Sequence, residues 1–125
     1  MKMEDIYMIL NIKDKEFEVH FGIKFIRELD KANYFMKEGA KFGAGLELKV
    51  PMLFTYDTVA LSEVLYTGTC TQKARPTVNE VDEYVENSEN IEALFDEVIS
   101  ELKKGNATRL KMTQMEKELS KQGQK

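Results

Sequence analysis

Tryptophan is absent from these 125 residues, histidine and cysteine occur once each, and proline occurs twice. With Cys70 alone there can be no internal disulfide framework, which fits a reducing compartment without requiring one. The single histidine, His20, has no nucleophile at a motif-defined distance, so no Ser-His or Cys-His pairing can be drawn. No run approaches the roughly 18 apolar residues of a membrane-spanning helix. The start, "MKMEDIYMILNIKDKE", meets Glu4 and Asp5 early and leaves its apolar residues behind by Lys13, which is not the pattern of a secretory signal. The expectation is a soluble chain with no membrane partner.

Hydrophobic residues make up 42% of the chain and charged residues 32%, a balance that argues for folded globular material. A chain of this length buries roughly two thirds of its unfolded surface around one core, so a single domain is expected. The net charge of −4 is unevenly spread. Residues 79–101 carry nine acids and no base, whereas residues 102–125 carry seven bases and two acids. The overall sign argues against a general nucleic-acid binder, while the tail leaves room for a local basic contact.

Ile6, Met8, Leu10 and Ile12 share one parity and Phe17, Val19 and Phe21 another, with "KDKE" between them. That pattern predicts an antiparallel hairpin, although the link carries no Asn-Gly turn signal. Ile23, Phe25, Ile26 and Leu29 then repeat at helical spacing, predicting a helix over about residues 22–35 that folds back on the hairpin. "KEGAKFGAG", residues 37–45, reads as a glycine-rich loop, without the Gly-Lys-Ser/Thr ending of a phosphate cradle.

A short helix is expected over residues 46–53, with Pro51 disturbing its limits. Asp57 is placed to cap another through about Tyr66. "TVNE" forms a capping box at Thr77 and Glu80, opening a helix with Val78, Val81, Tyr84 and Val85 as its stripe. Ile91, Leu94, Phe95, Val98, Ile99 and Leu102 predict a helix ended by Gly105. The fold class that follows is α+β, an N-terminal antiparallel hairpin packed against a small, mainly helical domain. Residues 1–104 form the globular part and residues 105–125 a basic helical tail with only a thin apolar stripe, mobile or ordered by a partner.

The carboxylates Glu80, Asp82, Glu83, Glu86 and Glu89 follow no calcium-loop spacing and read as a solvated or partner-facing acidic surface. Cys70 reads as an ordinary free thiol and His20 as a second-face residue of the hairpin. Together these features point to no catalytic residue, cofactor or metal. The basic tail has three readings: pairing with the acidic face, simple solubilisation, or contact with an acidic partner.

The order of segments carries one further signal. The hairpin, then "FGIKFIRELDK", "KFGAGLELKVPML", "DTVALSEVLYTGT", "RPTVNEVDEYVE" and "IEALFDEVISELKK", resembles the tail assembly chaperone family of long-tailed phages and prophages of Gram-positive bacteria, over about residues 6–104. The resemblance implies a noncatalytic protein of the host cytoplasm, absent from the mature virion, that binds the tape measure protein and keeps it competent for tail tube assembly. It also implies a short form of a frameshifted pair, the longer form recruiting the tail tube protein, with Lys103–Lys104 as one place for slippery codons.

A tape measure protein rich in long helix would need temporary cover for its apolar stripes. Phe42, Leu46 and Leu48 around the glycine segment and Met112 and Met115 in the tail are the partner-contact candidates, each equally readable as packing. Self-association along a long partner is a further expectation. An unrelated protein-interaction adaptor and a small nucleic-acid-binding regulator stand as alternatives.

Overall fold

The computed structural model describes residues 7–123, so Ile6 of the expected hairpin lies outside the described residues. Strands β1 (Tyr7–Ile12) and β2 (Lys15–His20) pair antiparallel with Leu10 opposite Phe17 and Met8 opposite Val19. Met8, Leu10, Ile12, Phe17 and Val19 are buried on one face, as the alternation requires. The turn residues Lys13 and Asp14 both have positive φ, 52° and 65°, so the two-residue connection takes the left-handed conformation without a glycine.

Helix α1 (Ile23–Ala32) buries Phe25 and Leu29. It ends three residues short of the expected limit at 35, and Ile23 is 67% exposed instead of joining the stripe. Nor does α1 supply the main cover for the first hairpin. Helix α3 (Thr58–Gly68) lies against β2, and α4 (Val78–Glu86) lies against β1. Gly68 is what lets α3 approach: a Cβ there would overlap Val19 Cγ1 and stand 3.1 Å from the Phe21 ring.

The glycine-rich segment is not a loop. Strands β3 (Tyr34–Lys37) and β4 (Ala40–Gly43) form a second antiparallel hairpin with Phe35 opposite Phe42. Glu38 and Gly39, at φ 52° and 81°, make its two-residue turn. Helical spacing extended through residue 35 concealed this element, because four-residue strands give too little alternation to compete with it.

Helix α2 (Gly45–Phe54) runs through Pro51 without ending. Asp57 caps α3 by accepting from Ala60 N–H at 3.0 Å, and the Thr77–Glu80 capping box opens α4 as the sequence indicates. Val78, assigned to the α4 stripe, is 51% exposed, while Val81 and Val85 are buried. Asp82 is not merely solvated; it accepts the Ser62 hydroxyl of α3 and ties the two helices together.

Helix α5 (Ile91–Lys104) buries Leu94, Phe95, Val98 and Leu102, and Gly105 caps it, donating to Glu101 O. Helix α6 (Arg109–Gly123) follows the Thr108 hydroxyl, which donates to Leu102 O at 2.5 Å. It lies on α5 and α2, with Met112 fully buried in the common core.

Candidate partner-binding surface

Large apolar side chains gather on the β3–β4 hairpin. Every residue of both strands is exposed, and among them Tyr34, Phe35, Met36 and Phe42 are each 45–59% exposed. A two-stranded hairpin has little stability of its own, and contiguous apolar surface at this density marks interaction sites on soluble proteins. Phe35 and Phe42, a directly opposed pair, stack with ring centroids 5.5 Å apart. On the other face the Lys41 ammonium lies 4.1 Å from the centre of the Tyr34 ring.

The root of this hairpin is firmly held. Asp30, near the end of α1, accepts the Gly45 N–H at 2.7 Å, capping α2 from another helix because Ala44 offers no side-chain cap. Asn33 O accepts from Ala44 N–H at 2.8 Å, closing the strands at their base. The buried Asn33 amide donates to Leu29 O and to Glu63 Oε2, both at 2.9 Å, and Lys49 pairs with the other Glu63 oxygen at 2.7 Å. Gly43 has no room for a side chain, since a Cβ would press on the Asp30 carboxylate. Thus α1, α2 and α3 all fix the base, while the strands project their side chains into water.

The five sequence candidates separate on this geometry. Phe42 belongs to the exposed hairpin, and Leu48 is 43% exposed on α2 with Met52 one turn along the same face. Leu46 and Met112 are core residues, 5% and 0% exposed, so neither offers a surface in this fold. Met115 is half-buried in a groove of about 290 Å³ between α2 and α6, beside Pro51 and Leu119. Tyr34 and Phe35 read as the end of a helix, and Met36 fell between that helix and the expected loop over residues 37–45. The Glu38-Gly39 pair between two aromatic-bearing stretches is the signal that would have found them.

The remaining chemistry-bearing residues have structural partners. His20 Nε2 contacts Glu18 Oε1 at 2.8 Å, and its ring lies 5.0 Å from that of Tyr7 on the outer face of the first sheet. Burial raises the Cys70 thiol pKa despite the nearby Lys24 and Arg75 charges, which favours the unreactive protonated form. A concavity of about 520 Å³ between the β1–β2 turn and α4 is rimmed by Lys13, Glu80 and Glu83. There Glu80 serves the capping box and meets Lys13 at 3.5 Å, and the Thr77 backbone N–H holds its carboxyl below the ordinary value. Among the described residues no group of three His, Cys, Asp or Glu side chains converges as a metal ion would need, and no helix is long and apolar enough to cross a membrane.

Among the described residues, one ion pair joins the basic residues 102–125 to the acidic stretch 79–101, Lys104 with Glu101 at 3.4 Å within α5. Lys111 pairs with Glu47 of α2 at 2.7 Å and Lys103 with Glu116 at 2.6 Å, so these two pairs join α6 to α2 and α5.

The family described as phage tail assembly chaperone protein, TAC, matches residues 9–117, from β1 into α6. No curated protein and no solved structure gives a significant match. With most of the described fold inside that one match, the chain belongs to the phage tail assembly chaperone family.

Proposed function

We propose that this protein is a noncatalytic chaperone that binds the tape measure protein in the host cytoplasm, keeps it soluble and competent for tail tube assembly, and leaves before the virion is mature. On this reading it is the short form of a frameshifted pair whose longer form brings tail tube protein to the complex. The observation that carries the proposal is the β3–β4 hairpin, which keeps Tyr34, Phe35, Met36 and Phe42 in water on a clamped base. Such a surface suits temporary cover of an apolar stripe on a long helical partner.

Co-expression with the tape measure protein of the same locus, followed by purification and mass measurement, tests the reading. A defined soluble complex is expected, together with loss of tape-measure solubility when the chaperone is left out. A tape measure protein that stays soluble alone and forms no complex in mild salt would reject the role and favour an adaptor with another partner.

A further inference from the structure

We infer that the β3–β4 hairpin is a two-sided arm, buried on binding between two apolar segments of the partner, each carrying carboxylates beside its apolar side chains. This inference rests on the chaperone reading above and specifies how the partner is held.

Strand alternation divides the hairpin into two faces that are both apolar. Phe35 and Phe42 lie on one, with Lys37 two residues from Phe35 on the same side; Tyr34 and Met36 lie on the other, with Lys41 opposite Met36. A sheet meant to rest one face on its own domain would bury that face, but no residue of either strand is buried. A partner laid on one side alone would therefore leave two large apolar side chains of the other in water.

Each face also carries one lysine, and among the described residues neither Lys37 nor Lys41 makes an ion pair. In a chain of net charge −4, these lysines outnumber the single acid of the hairpin, Glu38. The complementary surface is apolar with flanking carboxylates, and the same description applies to both sides. The clamped base, with Asp30, Asn33 and Glu63 engaged across three helices, holds the arm in its projecting position before the partner arrives.

The test uses the full chain and the tape measure protein of the same locus. Affinity is measured for wild type, for F35S/F42S, for Y34S/M36S and for K37E/K41E, with circular dichroism and elution volume checking that each variant is folded. Both serine pairs are expected to weaken binding by about tenfold or more, as central apolar contacts do. K37E/K41E is expected to weaken it too, and wild-type binding should fall as salt rises. K37E/K41E keeps every apolar group and so tests the surface even where a serine pair unfolds the hairpin.

Weakening by only one serine pair overturns two-sided burial. A wild-type complex untouched by all three variants removes the arm from the interface while leaving the chaperone role intact. Loss of self-association alone, with tape-measure binding unchanged, makes a second copy of this chain the occupant and overturns the inference. No wild-type complex at all rejects the chaperone reading and the inference with it.

Discussion

Tyr56 occupies the left-handed position after α2, φ 64°, where glycine is the common choice. Asp57 N–H donates to Met52 O at 3.0 Å and Tyr56 N–H to Leu53 O at 3.2 Å, the two bonds of a Schellman ending. The ring meets Phe95 edge-on at 5.3 Å, a contact that glycine could not make and that offsets part of the backbone cost. Gly68 shows the reverse logic. Its φ is unexceptional, but it has no space for a side chain beneath Val19 and Phe21. Gly68→Ala should therefore destabilise the protein by about 1–3 kcal/mol, through forced separation of α3 and β2. Urea unfolding would show this as a lower midpoint, and an unchanged midpoint would mean that α3 shifts freely.

At the scale of elements, the two hairpins contrast. The first is stabilised by the core its inner face enters, and this allows Lys13 and Asp14 to hold left-handed conformations that cost ordinary residues about 1–2 kcal/mol each. Replacing them by Asn and Gly, K13N/D14G, should raise stability by about 1 kcal/mol, because the register stays the same while the turn strain falls. Thermal unfolding of wild type and variant at one pH would check it. The second hairpin has no buried strand residue to support it and depends on its Gly39 turn, the Phe35–Phe42 stack and its clamped root. That dependence separates an element used for packing from one presented outward.

Across the whole molecule, α6 joins the core through the fully buried Met112, with Met115 packed against it, and through the Lys111–Glu47 and Lys103–Glu116 pairs. Burial would raise the Glu47 carboxyl, but the Lys111 hydrogen bond and charge, with a backbone hydrogen bond, outweigh it and leave the pKa lowered from 4.5. A carboxyl depressed in the folded state contributes stability above its unfolded value and loses it as pH falls through the folded one. Acidification from neutrality to below 4.5 should therefore weaken α6 docking, and Glu47→Gln should remove that part of the loss. Comparison of urea midpoints for both proteins at neutral and acid pH would measure it. Equal acid sensitivity would assign the loss to other carboxylates.

Much of this architecture was legible from short-range pattern alone. Leu10 and Val19, Asp57 and Thr77, and Leu94 through Leu102 sit where parity, capping chemistry and helical spacing place them, because each signal depends on neighbours within a few residues. The ordered segments from the first hairpin to α5 also carried the resemblance that the family match supports. Tertiary structure alone decided that α3 and α4, not α1, cover the first hairpin, that Met112 and Leu46 lie inside, and that residues 34–43 form an exposed arm. Those outcomes depend on which faces meet across long stretches of chain: on the room Gly68 leaves for Val19, and on the Asp30 and Glu63 contacts that hold the arm at its base. No local periodicity records such contacts: Phe42 and the Glu38-Gly39 turn were legible in the sequence, while the exposure of both hairpin faces was decided only by the folded chain.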